Sequence, residues 1–379
     1  MKRYIESVKE LQNIFYEFIE CNNDDDNIEN FQRLINYLEN LGSLDNLENQ
    51  SKIEEFLYLI QKVTNNHHQE PKFFDNVEKI LFYFRKQIKQ TFSNLNLFNF
   101  FKKNKQILLF LFEKEIITLD DNIIDSIFSM KLRDEYIVYF SPEIKPLIDL
   151  DKQKMIEEEL AKTDFNKENR LKSDNDCYLG NLIRYDIIDD FISHVSQTNV
   201  SLSKTTIKPS IYETNTFLIK NKESTLIEYA AFFGSIQIFN YLRMNNVKLL
   251  PSLWLYAIHG KNAEIIHLLV ENHIEPVDKT YNECLKESIK CHHNEIASFI
   301  QTNFLKETQN SYDNNIYSYA FHYHNYSFFP TDFTDKFTFF YLCQYNYFYL
   351  VKILCNTQRI NINDTIIFFH ELLMKFQNK

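Results

Sequence analysis

The sequence predicts an all-α fold built from repeated helix pairs. Two features of composition and one of order carry that prediction. Leu, Ile, Phe, Lys and Glu recur at helical spacing through most of the chain. Glycine is scarce, 4 in 379 residues against 35 Phe and 23 Tyr. Sheet-rich folds and phosphate-binding enzymes need glycine at tight turns and where backbone approaches a ligand, so both are disfavoured. In the second half a small residue, a turn and an apolar helix follow one another repeatedly.

The repeat is clearest in two segments. Ala230-Ala231-Phe232-Phe233-Gly234-Ser235-Ile236 leads into an apolar helix, and so does Tyr256-Ala257-Ile258-His259-Gly260-Lys261-Asn262. Aligning the two glycines places a small residue, Ala231 or Ala257, three positions before each. A residue in the left-handed conformation ends a first helix and lets a second fold back, and glycine adopts it at least cost. The second helix is then predicted to bury Ile265, Ile266, Leu268 and Leu269. The frame continues without glycine at Ser288, Ala320 and Leu342, giving spacings of 26, 31, 32 and 22. These scatter around the ~33 residues of an ankyrin repeat. Pro251 and Pro276 fall at the connections, where proline stops or starts a helix.

The first half carries the theme more weakly. Asn104 to Ile116 aligns on Asn262 to Ile274 without a gap, and Leu182 to Asp186 opens another pair. Residues 1–95 are predicted as an N-terminal helical cap, with a turn near Gly42. Residues 96–200 are predicted as degenerate ankyrin-like helix pairs, and residues 201–379 as an ankyrin-like repeat region with a C-terminal capping helix. Ser201 to Glu223 is the longest interruption, read either as a functional loop or as a connector packed along the stack.

The segment from Lys208-Pro209-Ser210-Ile211-Tyr212 through Thr225-Leu226-Ile227-Glu228-Tyr229-Ala230-Ala231, continuing with Pro251-Ser252-Leu253-Trp254 and Glu283-Cys284-Leu285-Lys286, carries a family resemblance. It resembles the ankyrin-containing family of unknown function that is expanded in parasitic protists. The resemblance spans residues 175–305 and extends over most of the chain. It implies an ankyrin-like helical repeat solenoid with no known activity and no known catalytic residues. The chain departs from the general ankyrin consensus in lacking the Thr-Pro-Leu-His start and the Gly-rich finger, which puts well-formed β-hairpin fingers in doubt.

Charge narrows the partners. The net charge is −11, and all of it lies in residues 1–200, with 25 Lys+Arg against 36 Asp+Glu. A nucleic-acid binder needs a basic stripe, and the Lys102, Lys103 and Lys105 cluster reads instead as a solvated helix face, so no nucleic-acid partner is expected. Met1-Lys2-Arg3 leads into an amphipathic stretch rather than an apolar signal core, and the longest apolar run, Ile107 to Phe112, falls short of the ~20 residues of a membrane span. A cytoplasmic protein with no membrane partner is expected.

No motif points to chemistry. His67-His68-Gln69-Glu70 lacks the four-residue His spacing of a zinc protease and precedes Pro71. Cys284 and Cys291 share a helical face, but two thiols fall short of the four ligands of structural zinc and read as a core stripe. No Gly-rich phosphate loop or nucleophile elbow is present. The expectation is a non-enzyme with no metal and no cofactor.

Binding is therefore sought on the concave side, where residues just before each turn align. The pairs are Phe232 and Phe233, Ile258 and His259, Ile289 and Lys290, Phe321 and His322, and Cys343 and Gln344. Phe233, His259, Lys290 and His322 are the predicted contacts for a protein or peptide partner, whose mixed polarity suits a protein surface. Trp254, the only Trp, is assigned to core packing rather than to a binding hot spot. The other reading is a structural protein that self-associates through its aromatic C-terminus. Tyr312, Tyr317, Tyr319, Tyr323, Tyr326, Phe328 and Phe329 there exceed what one thin repeat can bury.

Overall fold

The computed structural model describes residues 1–21, 23–40, 46–66, 72–130, 133–171, 177–305, 312–331, 333 and 336–356. Gly42, His67, His68 and the expected capping helix beyond Asn356 lie outside them. Twenty-three α-helices occur among the described residues, and the one sheet there is a two-residue ladder. None of these helices is long and apolar enough to cross a membrane.

The chain divides into two compact units. Met1–Val63 and Thr280–Lys379 form one, and Thr64–Lys279 the other. These borders differ from the three sequence segments, because the first N-terminal helices group with the C-terminal pairs. In the first unit, α1 (Lys2–Ile19), α2 (Asp24–Asn40) and α3 (Asn46–Asn66, to Val63) accompany α19 (Asn282–Lys290), α20 (Asn294–Phe304), α21 (Tyr312–Tyr323), α22 (Lys336–Gln344) and α23 (Phe348–Asn356). Tyr4, Ile5 and Val8 of α1 join Phe321, Tyr326, Phe329, Phe333, Leu342 and Tyr347 in a single core. The aromatic surplus of the C-terminus thus has an apolar cover within the same chain. Gln12, fully buried on α1, fixes the seat: its Oε1 accepts the Tyr326 N–H at 2.8 Å and its Nε2 donates to Ser327 Oγ at 2.9 Å.

The second unit runs from α4 (Phe73–Tyr83) to α18 (Ala263–Glu271). Its repeat pairs are α12 (Tyr178–Arg184) with α13 (Ile188–Thr198), α15 (Leu226–Phe233) with α16 (Ile236–Met244), and α17 (Leu253–Gly260) with α18. Leu226 to Phe232 of α15 are all buried, as are all residues of α17 except Leu255, so these first helices are covered nearly all round. The second helix α18 is amphipathic, burying Ile265, Ile266 and Leu269. The Ser201–Glu223 segment is closed by β1 (Thr206–Ile207) against β2 (Ser224–Thr225), antiparallel, and contains α14 (Thr216–Asn221).

The turns correct the sequence register by one residue. The left-handed residues are Asp186, Gly234, Lys261, His292, His324 and Asn346. After five of them the next N–H reaches the carbonyl five residues back: Ile187 to Leu182, Ser235 to Ala230, His293 to Ser288, Asn325 to Ala320 and Tyr347 to Leu342, all at 2.9–3.0 Å. Gly234 is therefore equivalent to Lys261, not to Gly260, and Ala230 rather than Ala231 aligns with Ala257. Gly260 is the last residue of α17 and serves a different purpose. A Cβ there would lie 2.1 Å from the Ala231 carbonyl oxygen, so glycine lets the ends of α15 and α17 touch.

In four of these turns the next residue ties one pair to its predecessor within its unit. Ser235 Oγ donates to the Ile183 carbonyl at 2.5 Å, Asn325 Nδ2 to that of Ile289 at 3.0 Å, and Tyr347 Oη to that of Phe321 at 2.9 Å. Asn262 does the same with Gly234 at 3.1 Å while its Oδ1 caps α18 at Glu264 and Ile265. Asn262→Ala removes both, and urea denaturation is expected to show a loss of about 1–2 kcal/mol. The gapless alignment of the first half also holds. Helix α7 (Lys105–Glu113) and α18 are both nine residues, each capped by an Asn side chain. Each ends at a left-handed residue, Glu115 or His273.

Candidate functional site

Counting from Ala230, Ala257, Ser288, Ala320 and Leu342, the four predicted contacts fall at two register positions. His259, Lys290 and His322 stand two residues on; Phe233 stands three on, and its neighbour Phe232 is the true counterpart of His259. The structure treats the second position differently from pair to pair. Phe232 and His259 are both 0% exposed. Their rings stack at 5.0 Å, and Phe217 of α14 packs on both. His259 is thus a core side chain and not part of an exposed stripe. The expectation failed there because α14, inside the Ser201–Glu223 segment, lies over this position. Lys290 is half-buried and paired with Glu287 at 2.6 Å. His322 is exposed.

The position one residue before the turn holds an aromatic ring in four of the six turns, the other two being the buried Gly260 and Cys291. In the first unit the rings are Tyr323 and Tyr345, and the His322 imidazole lies between them. His322 stacks on Tyr323 at 4.4 Å with planes 6° apart, and on Tyr345 at 4.8 Å with planes 10° apart. Tyr341 extends the row beyond Tyr345. Tyr323 is bounded on its other side by α19: its carbonyl meets His292 Nε2 at 2.9 Å, and its hydroxyl is pushed to high pKa by burial first, then by the nearby Glu287 carboxylate. The buried Glu287 that pairs with Lys290 thus also lies near Tyr323, on which His322 stacks.

The second unit repeats the device with a cation. The corresponding positions hold Tyr185 and Phe233. The Arg184 guanidinium lies 5.9 Å from the Tyr185 ring centre and 5.3 Å from that of Phe233. Phe233 leans on Tyr229 one turn earlier, at 4.8 Å, while Tyr185 is 56% exposed. Arg184, Tyr185 and Tyr345 were missed as contacts by the sequence reading, which named Tyr323 only among the self-associating aromatics. The signal for them was present, since all four occupy the same two positions once the turn residue, rather than glycine, sets the register.

The other marked segment, Ser201–Glu223, borders a cleft of ≈ 470 Å³. Lys208, Pro209, Ser210, Ile211, Ile219 and Lys222 line it from this segment; Asp134, Glu135 and Val138 of α9 (Arg133–Tyr139) and Glu159 of α11 (Leu150–Leu160) line the other side. Beside it the buried Lys105 ammonium donates to the Ile211 carbonyl at 2.5 Å and pairs with Glu135 at 3.4 Å. That pin holds the segment against its unit and gives it the packed-connector character. The cleft walls carry both signs of charge on an apolar floor, which selects no single ligand class.

Trp254 is 0% exposed and its indole N–H donates to the Ile274 carbonyl at 2.6 Å, a core role. Cys284 and Cys291 are buried too, and burial pushes the Cys291 thiol well above its usual range. Compared with known proteins, the chain matches no family model, no curated protein and no solved structure.

Proposed function

We propose that the chain is a non-enzymatic, ankyrin-like repeat scaffold of the cytoplasm that binds a protein or peptide along its turn-proximal side chains. The observation that supports this reading is the repeated interleaving of an aromatic ring before the turn with a cationic or imidazole group. It recurs as Tyr185–Arg184–Phe233 in one unit and as Tyr323–His322–Tyr345 in the other. Rings already held by stacking lose little further freedom when a partner docks, so more of their contact energy is retained as affinity. A net charge of −11 and a single cation in the Arg184 row suit a protein partner better than a nucleic acid. Self-association through the aromatic C-terminus has weaker support, because Tyr326, Phe329 and Phe333 pack under α1.

The test is affinity purification of the full chain against its exposed-ring variants. Tyr185→Asp replaces a solvent-facing side chain and is expected to leave stability within about 0.5 kcal/mol, while His322→Asp loses two stacked rings and is expected to cost about 1 kcal/mol without unfolding the chain. At least one is expected to weaken a captured partner about tenfold or more, the scale of an interface hot spot. Glu271→Lys, on the exposed face of α18, is the control and is expected to change nothing. Capture unaffected by both ring variants would refute the ladders as the binding surface.

A further inference from the structure

Glu55 of α3 lies in the first unit with its side chain only 7% exposed, and its Oε2 is shared by two groups from the turn after α21. Tyr326 Oη donates to it at 2.6 Å, and His324 Nδ1 lies 3.2 Å away. The imidazole is enclosed, with the Tyr58 ring parallel at 4.8 Å on one face and Tyr347 at 4.7 Å on the other. Other titratable or charged groups face this site from every element around it: Tyr58, Lys62 and Glu54 on α3, Tyr4 on α1, Tyr326 beside the turn, and Tyr345 and Tyr347 from the α22–α23 turn. Lys52 sits over the Tyr4 ring at 5.6 Å.

Burial, rather than the hydrogen-bond count, favours one proton arrangement. With Glu55 as the neutral acid, the Oε2 hydroxyl donates to His324 Nδ1 and accepts from Tyr326; with Glu55 ionised, Oε2 accepts from both Tyr326 and the Nδ1–H tautomer of His324. An ionised Glu55 would be a buried anion facing a neutral imidazole, which is costly without a cationic partner. An ion pair with protonated His324 would bury two charges between aromatic rings, and burial holds that imidazole well below its ordinary pKa. Burial likewise pushes the Glu55 carboxyl up to about 8, with the Tyr326 hydrogen bond opposing only in part.

We propose that Glu55 is a proton-controlled latch. As the neutral acid it fastens α3 to the turn at His324–Tyr326, and its ionisation loosens that attachment. A carboxyl raised in the closed state contributes attachment that is present in full at low pH and is lost as pH rises through about 8. His324, lowered in the closed state, acts oppositely below its ordinary 6.5 and cancels the trend there. The net window is therefore pH 6.5 to 8, across which closure is expected to weaken by about eightfold in all.

The experiment follows the full-length chain, in a Glu78→Gln background because burial raises that second-unit carboxyl to about 7 as well. Infrared spectra at pH 6.5 are expected to show a protonated-carboxyl band that is missing in Glu55→Gln and gone from the parent by pH 9.5. Hydrogen exchange, corrected for its intrinsic pH dependence, is expected to show about eightfold weaker protection of α3 and residues 321–329 at pH 8 than at 6.5. The glutamine variant, an isostere of the neutral acid, is expected to show no such change. No protonated carboxyl at pH 6.5, or equal pH dependence in both chains, would overturn the proposal. Should the variant fail to fold, residue-assigned carboxyl ¹³C titration of the parent decides alone, since burial also raises Glu213 of the second unit: the latch requires Glu55 itself to titrate near 8, and its titrating in the ordinary carboxylate range refutes it.

Discussion

Gly260→Ala is expected to unfold the second unit, or to cost it about 3 kcal/mol or more, at the upper end of overpacking penalties. The added Cβ would sit 2.1 Å from the Ala231 carbonyl oxygen and 3.2 Å from the Gly234 nitrogen. Both are backbone atoms, so no rotamer change relieves the contact, and α15 must move away from α17. Gly234→Ala is the informative comparison. Its φ of +67° costs an alanine about 1–2 kcal/mol, and its Cβ would meet the Gly260 carbonyl oxygen at 2.8 Å. Left-handed backbone alone does not demand glycine in this chain, since Lys261, His292, His324 and Asn346 adopt it in equivalent turns. Urea denaturation followed by Trp254 fluorescence reads the second unit directly, because that Trp is the chain's only one. A Gly260→Ala midpoint equal to wild type would mean that the two helix ends are not in contact.

The all-helical class was legible from composition because few glycines leave few ways to build anything else. The pairs were legible as well, since each needs an apolar helix, a reversal and a second apolar helix. What misled the register was treating the two glycines as equivalent. One is required by backbone conformation together with close approach, the other by close approach only, and a sequence does not distinguish those causes. The packing of α1 against α21–α23 was invisible for another reason. Gln12 and Tyr326 are 314 residues apart, and nothing in their local sequence marks either one as the other's partner.

The site was legible only in part, and the losses have physical causes. His322, expected to be exposed, is exposed, whereas Lys290, expected to be exposed too, is half-buried against Glu287. His259 looked equivalent to them, yet Phe217 covers it from a segment read as loop or connector. Arg184 and Tyr185 were seen as the start of a helix pair, but their role depends on a ring, Phe233, almost fifty residues away. Side-chain interleaving between successive pairs emerges only after the turn positions are known. Glu55 gave no signal either, for a carboxylate on a helical stripe reads as solvated until its burial is seen.

Trp254→Ala is expected to destabilise the second unit by about 3–5 kcal/mol, the range for emptying an aromatic core site. The loss has two parts: the cavity left by a side chain that is 0% exposed, and the Ile274 carbonyl deprived of its 2.6 Å indole donor. Ile274 follows the left-handed His273 at the end of α18, so the indole fastens the close of one helix pair onto its own first helix. Circular dichroism in urea measures the variant, which has no Trp to follow. Trp254→Phe separates the two parts, since it keeps most of the ring volume but removes the donor, and a loss of about 1–2 kcal/mol is expected. The same variant decides between the two roles open to this residue. A buried Trp254 acts through stability alone, so folded Trp254→Phe protein should capture the same partner as wild type while His322→Asp or Tyr185→Asp does not. Partner loss in a Trp254→Phe chain with an unchanged urea midpoint would make the indole a contact and would place the binding surface at the start of α17.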